Sequence, residues 1–188
     1  MKKSINQQIL TEIKSIRKLL EKTNNQVVKK TSLEKENEYL TLIKETLIVD
    51  KLDGKEFIYG DRKVFKSYID NDFKNLKLNQ ASEATKETAV QVHKLAEDAT
   101  FAKMFTSLSG DLDKLCLTQH QIKRFCVKYP GQLSQGCATF FLFKLNGEYF
   151  VAHVNVRGDG LDVFVYRFEF DRLWDAGCGH RLVVPSQL

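Results

Sequence analysis

Cysteine and histidine, four of each, are the side chains of this chain best suited to metal binding or nucleophilic catalysis. Cys116 and His120 are separated by three residues with Cys126 nearby, and Cys178 and His180 are separated by one. Structural zinc sites typically carry a Cys-x-x-Cys pair, and the sequence contains none. Cys126 falls on the apolar stripe of a predicted helix, where cysteine acts as a small hydrophobic side chain. We therefore predict no metal site and no bound cofactor.

Cys178 and His180 lie in the glycine-containing loop "DAGCGHR", which predicts an accessible thiol. A cysteine nucleophile needs a histidine within hydrogen-bond reach, and residues two apart in a loop rarely face each other in that way. We expect reduced cysteines and assign no catalytic residue. An enzyme of unknown reaction, with a site near His153 or near Cys178 and His180, is kept as an alternative.

The stretch 138–170, "ATFFLFKLNGEYFVAHVNVRGDGLDVFVYRFEF", contains a candidate binding surface. Asn146-Gly147 and Gly158-Asp159 predict two hairpin turns between three strands. Strand alternation then assigns one uniformly apolar face to the core. The predicted cross-strand pairs are Phe143–Phe150, Phe141–Ala152, Phe140–His153, Val154–Val163 and His153–Phe164. The predicted core face comprises Phe141, Phe143, Phe150, Ala152, Val154, Val156, Leu161, Val163 and Val165.

The opposite face of these strands is mixed, aromatic and centred on His153. Such a face could stack bases, as the aromatic sheets of single-stranded nucleic-acid readers do. Coverage by one of the helices predicted for the middle of the chain is favoured, because a large exposed apolar patch is unusual in a monomer. Residues 131–188 also carry five basic and six acidic residues, a balance of −1 that disfavours phosphate binding. The candidate binding residues are Phe140, His153, Phe164, Tyr166 and Phe168.

The N-terminus is strongly basic, since residues 1–30 hold eight basic and two acidic side chains, a balance of +6. Apolar residues spaced by four, three, four and seven predict a helix over 5–28 with a narrow coiled-coil-like seam. Such a stripe needs a partner, which is the predicted helix 32–48, the same helix of a second copy or another protein, so residues 5–48 are the predicted association segment. The seam is Ile9, Ile13, Ile16, Leu20 and Val27, and the basic candidate residues are Arg17, Lys18 and Lys22.

The other patterns predict the elements that would position these residues. A capping box of Thr31 and Glu34 starts a helix over 32–48, and an Asp53-Gly54 turn predicts a small hairpin over 47–59. Helical spacing predicts helices over 61–77 and 82–108. A second capping box, Thr118 with Gln121, starts a helix that Pro130 stops. "RLVV" at 181–184 predicts a further strand.

Together these elements predict an α+β fold, in which helices pack on an antiparallel sheet of about four strands after a helical N-terminal extension. The predicted domains are a helical, coiled-coil-like extension over 1–46 and a globular domain over 47–188. No apolar run approaches the length of a membrane span, and the N-terminal lysines are followed by no hydrophobic signal region. We therefore predict a cytoplasmic protein.

The pattern "TFFLFK…YFVAHV…FVYRFEF…W…HRLVVP" resembles uncharacterised proteins of small-genome candidate-phyla bacteria, mainly over residues 118–188. This resemblance implies a bacterial origin and supplies no activity or site residues. The function that the residues favour is a non-enzymatic interaction module, which self-associates or binds a partner through the basic N-terminal helix. Weak nucleic-acid binding, by that helix or by the aromatic sheet face, is the first alternative, and the enzyme of unknown reaction is the second.

Overall fold

The computed structural model describes residues 16–18 and 37–186, and by internal contacts the chain divides into two units, 1–37 and 38–188. Residues 16–18 are helical, and the rest of the predicted helix 5–28 lies outside the described residues. The strands are β1 (Leu40–Val49), β2 (Tyr68–Ile69), β3 (Thr88–Leu95), β4 (Ala138–Leu145), β5 (Glu148–Arg157), β6 (Gly160–Arg167) and β7 (Arg181–Pro185). The α-helices of the second unit are α1 (Asp72–Asn75), α2 (Phe101–Thr106) and α3 (Gln119–Lys128).

The strands form one mixed sheet in the order β1-β3-β7-β4-β5-β6-β2. The two hairpins joining β4, β5 and β6 have the predicted turns and all five predicted cross-strand pairs. Asn146 and Gly147 have φ values of 53° and 83°, which a type I′ turn requires. The strand predicted over 181–184 is confirmed as β7. It runs antiparallel to β3 and parallel to β4, and joins them in the middle of the sheet.

The predicted architecture of helices on a four-stranded antiparallel sheet is wrong, because the sheet has seven strands and two of its pairings are parallel. Residues 40–48 of the predicted second helix belong to β1, so no coiled coil is supported there. The pairing of β1 with β3 shifts register between Leu42 and Lys44 and again between Lys44 and Leu47. These irregularities break strict alternation, and the apolar residues then acquire a spacing that resembles a helix. The predicted domain boundary after residue 46 lies within β1.

The helices predicted over 61–77 and 82–108 are also wrong. The first range contains β2 and the short α1, and the second contains β3 and the six-residue α2. The sequence "TAVQVHKL" of β3 alternates, with Val90 and Val92 fully buried on one face. Gly54 has a φ of 75°, but the predicted hairpin around it is absent from residues 47–59, where Leu52 forms a single bridge with Thr85.

A hydrophobic core lies on each face of the sheet. The first core contains the predicted apolar face of β4–β6, packed against Ile122 and Phe125 of α3. The predicted capping box of Thr118 and Gln121 is present at the start of α3. The second core lies on the opposite face and includes α2 and Trp174. Both faces of the central strands are therefore covered, which explains why Leu182, Val183 and Val184 of β7 are consecutive apolar residues.

Candidate functional site

One end of the second sheet face is covered, as the sequence favoured. Phe140 is fully buried, with its ring centroid 5.1 Å from that of Phe101 in α2 and 4.8 Å from that of Trp174. Phe168 packs in the same way against Phe105 of α2, with centroids 6.2 Å apart. Phe140 is therefore a core residue rather than a contact for a ligand. The cover comes from the six-residue α2, the 3-10 helix Leu112–Leu115 and the loop segment that carries Trp174, not from the long helix predicted over 82–108.

The other end of this face remains accessible along the β2–β6 side of the sheet. We name Tyr68, Phe164, Tyr166 and Phe170 the open aromatic patch. Tyr68 is 41% exposed and Phe170 is 39% exposed, while Phe164 and Tyr166 are half-buried between them. Ring centroids along the series Tyr68, Phe164, His153, Tyr166 and Phe170 are 5.0, 5.5, 5.8 and 4.9 Å apart. The structure thus brings three predicted residues, His153, Phe164 and Tyr166, into one row of rings.

His153 lies at the boundary between the covered and open ends. Burial lowers the pKa of its imidazole to about 4, so the ring is neutral at neutral pH. Its Nε2 atom lies 2.9 Å from Oδ1 of Asn155, whereas its buried Nδ1 atom has no hydrogen-bond partner. The indole Nε1 of Trp174, 97% buried, is also unpartnered. Two nitrogen atoms that normally require partners therefore lie beneath the patch.

Arg172 supplies a positive charge beside these rings. Its guanidinium carbon lies 4.6 Å from the ring centroid of Trp174, a cation–π contact. Within residues 37–186, no carboxylate lies within ion-pair distance of Arg172, whereas Arg157 pairs with Asp162 and Arg167 pairs with Glu148. Arg172 is thus the cation of this region that is available to an anionic ligand group.

A second cleft, of about 320 Å³, lies between α3 and residues 50–64. Its most buried charge is Lys123, whose Nζ lies 2.7 Å from Glu56 and 2.6 Å from Asp61. Asp50 similarly accepts hydrogen bonds from Arg124 and Lys128. Because these charges neutralise one another within the protein, we interpret the cleft as a clamp that holds residues 50–61 against α3.

The cysteines separate into a bonded pair and two free thiols, of which Cys126 is buried and Cys116 half-buried. Cys137 and Cys178 form a disulfide with a Cα–Cα distance of 6.0 Å, so the expectation that all cysteines are reduced is wrong. The pair forms because β4 and β7 are parallel neighbours, which spacing along the sequence does not reveal. Burial raises the pKa of Cys116 to about 12 and raises that of Cys126 as well. Among the described residues, no group of three His, Cys, Asp or Glu is placed to hold a metal ion.

Sequence reasoning missed several residues of this region. Tyr68 was assigned to a predicted helix, and Phe170, Arg172 and Trp174 follow the last strand of the aromatic stretch without a recognisable pattern. The unusual density of aromatic residues after β6 is the signal that could have identified them. Of the basic candidates, Arg17 and Lys18 are exposed and helical, and Lys22 lies outside the described residues.

Comparisons of the chain with protein-family models, curated proteins and solved structures found no match. The resemblance to candidate-phyla proteins therefore stays a prediction. In the part of the chain that the structure describes, no helix is both long and apolar enough to cross a membrane.

Proposed function

We propose that this protein binds single-stranded nucleic acid through the open aromatic patch. The observation that carries the proposal is the row of half-exposed rings from Tyr68 to Phe170, with the unpaired cation Arg172 beside it. Aromatic side chains on a sheet bind unpaired bases because every base offers a flat face for stacking. Nucleic-acid binding is one of the alternative functions predicted from the sequence. We now restrict that binding to the uncovered end of the second sheet face.

In this interaction, bases stack on Tyr68 and Phe170, the most exposed rings, while Phe164 and Tyr166 support them from below. Arg172 contacts a phosphate or stacks on a base, as arginine does in single-strand binding sites. Neutral His153 and its neighbour Asn155 offer polar atoms at the edge of the rings. Because Arg172 is the one arginine beside the patch that lacks an ion pair among residues 37–186, stacking rather than charge supplies most of the affinity.

The enzymatic alternative has less support. Cys178 is bonded to Cys137 and is therefore not a free nucleophile in this state. His180 accepts a hydrogen bond at Nδ1 from the backbone N–H of Ala138, 3.1 Å away, and burial lowers its pKa. This contact gives His180 a structural role at the start of β7.

The basic N-terminal helix provides a second candidate function, self-association or binding of a protein partner. The observation that favours it is that Ile16, Arg17 and Lys18 are all exposed in helical backbone, with Ile16 57% exposed. An exposed apolar residue between cations suits contact with an acidic, partly apolar surface. Residues 40–48 no longer belong to this partner surface, because they form β1.

We retain a cytoplasmic location and a bacterial origin as predictions. The disulfide is in tension with this location, because stable disulfides are rare in the cytosol and those present there are usually catalytic or redox-sensing. Either the location is wrong or the bond is not permanent.

Binding of a short fluorescent oligothymidine, followed by anisotropy, tests the main proposal. Tyr68→Ala and Phe170→Ala should each weaken binding about tenfold, since a stacked base contributes about 1–3 kcal/mol. Leu42→Ala is the matched control, because Leu42 is a 40% exposed apolar residue of β1, across the sheet. Circular dichroism establishes that each variant is folded.

The salt dependence of the same binding distinguishes the two surfaces. One phosphate contact through Arg172 predicts a slope of about −0.7 for log K against log salt concentration. Binding through the basic helix would give a slope several times steeper and would be insensitive to Tyr68→Ala. Equal affinities for wild type, Tyr68→Ala and Phe170→Ala would refute the aromatic site.

A further inference from the structure

The disulfide joins two places that other contacts already hold together. Cys137 precedes β4, and Cys178 lies three residues before β7. Beside the bond, Ser134 Oγ donates a hydrogen bond to the carbonyl of Gly179 at 2.8 Å, and Ala138 N–H donates to His180. The ladder between β4 and β7 then begins at Thr139 and Arg181. These contacts keep the two strands adjacent without the bond, so the sheet does not depend on it.

The segment that the disulfide does restrain carries several residues of the proposed binding site. We name residues 168–178 the covering segment, because they cross the second sheet face between β6 and β7. Phe170, Arg172 and Trp174 all belong to it. Its noncovalent anchors include two backbone hydrogen bonds between Trp174 and Ala99, 3.0 and 3.2 Å long, one from Ala176 N–H to Asp98, and one from Phe168 N–H to the carbonyl of Tyr149. The buried Trp174 ring also packs against the core.

Among the four cysteines, the two that form this bond are the most accessible to solvent taken as a pair. Cys178 is exposed and Cys137 half-buried, whereas Cys126 is buried and Cys116 is half-buried with a pKa raised to about 12 by burial. A thiolate from solution can therefore reach the Cys178 sulfur more readily than the other cysteines can react. Thiol–disulfide exchange with external thiols is therefore expected at Cys178, at the C-terminal end of the covering segment.

We propose that the Cys137–Cys178 disulfide is a thiol-exchange site that controls the open aromatic patch. This inference rests on the proposed function. An external dithiol attacks one sulfur, forms a mixed disulfide and then closes on itself. The protein gains two electrons and two protons as two thiols, and the dithiol leaves as a cyclic disulfide. Reduction removes the covalent tie at the C-terminal end of the covering segment and leaves the segment to its noncovalent contacts, so that Phe170 and Arg172 are held less firmly in place for a ligand. The oxidised protein is the form that binds.

Trp174 makes the movement directly measurable, because it is the single tryptophan of the chain and lies in the covering segment. It is 3% exposed in the oxidised structure, so acrylamide should quench its fluorescence weakly. Reduction with dithiothreitol should increase quenching at least about twofold and weaken oligothymidine binding about three- to tenfold, because a preorganised site loses less entropy on binding. Removal of the dithiol and reoxidation should restore both values.

The double variant Cys137→Ser/Cys178→Ser is the control. It should show the high quenching and weak binding of the reduced protein and should not respond to dithiothreitol. Unchanged quenching on reduction of the wild type would overturn the proposal. Loss of the cooperative thermal transition on reduction would also overturn it, because the bond would then be required for the folded structure itself. If quenching responds but the oxidised protein does not bind oligothymidine, the proposed ligand is wrong while the thiol-controlled segment stands.

Discussion

Lys123 shows how a single buried charge can hold an irregular segment in place. Its side chain is 6% exposed and contacts the carboxylates of Glu56 and Asp61, which lie in a stretch with no regular secondary structure. The hydrogen bond from Lys123 holds the pKa of Glu56 below its usual value. For Asp61, burial acts to raise the pKa, but the hydrogen bond and charge of Lys123, together with hydrogen bonds from the backbone N–H groups of Lys63 and Val64, outweigh it. The lysine therefore stabilises both carboxylates in their charged form.

We expect Lys123→Met to lower the free energy of unfolding by about 2–3 kcal/mol. Removing one partner of a buried pair leaves the other charge uncompensated, although exposure of Glu56 reduces the penalty. Urea unfolding at neutral pH measures the change. Lys55→Met is the matched control, since the Lys55–Asp53 pair is exposed and screened by solvent, so its loss should change the free energy of unfolding much less than Lys123→Met does. Similar losses in the two variants would contradict the clamp.

The pH dependence of stability follows from the same two carboxylates. Their pKa values are lower in the folded state than in the unfolded chain, so their contribution is present at neutral pH. This contribution to stability begins to disappear when the pH falls below about 4, the ordinary pKa range of these carboxyl groups in the unfolded chain. It is fully lost once the pH is below their lowered pKa values in the folded protein. This loss should be smaller in Lys123→Met, because the variant lacks the cation that causes the shift.

At the scale of elements, α3 is the helix whose limits the sequence predicted. Thr118 Oγ1 accepts from the N–H of Gln121 at 3.2 Å, and Gln121 Oε1 accepts from the N–H of Thr118 at 2.9 Å. Thr118→Ala should lower the free energy of unfolding by about 1 kcal/mol, the usual value of an N-cap. Thermal unfolding followed by circular dichroism measures it. Thr106→Ala, at an exposed position within α2, should change it by less than about 0.5 kcal/mol. An unchanged free energy of unfolding in Thr118→Ala would contradict the stabilising role of the cap.

The elements that the sequence predicted correctly are those fixed by neighbouring residues. The turn at Asn146-Gly147 sets the register of β4 and β5, and alternation then assigns each residue to a face. The failures have non-local causes. Val92 is a strand residue because β1 and β7 flank β3, whereas its spacing relative to Ala96 and Ala99 also fits a helix. Candidate residues in β5 and β6 were therefore predictable, while Tyr68 and the covering segment, brought in by tertiary contacts, were not.

At the scale of the molecule, both hydrophobic cores lie within residues 40–184. We therefore expect a chain of residues 38–188 to fold alone and to keep a cooperative thermal transition. A chain of residues 47–188 lacks most of β1 and exposes the edge of β3, so it should melt at a lower temperature or aggregate. Calorimetry and light scattering on both truncated chains test whether the globular unit begins at residue 38 or at the boundary predicted after residue 46. Equal stability of the two truncations would show that β1 is dispensable.

The central position of β7 also constrains the order in which the protein can fold during its synthesis. β3 and β4 are joined in the sheet through β7, although they precede it in the chain by many residues. A nascent chain that ends before Arg181 has two partial sheets, β1–β3 and β4–β5–β6, each with an unpaired apolar edge. Such edges are prone to aggregate. The ribosome therefore has to release residues 181–185 from its exit tunnel before the sheet can close, and until then the nascent chain is a natural client for chaperones that bind exposed strands.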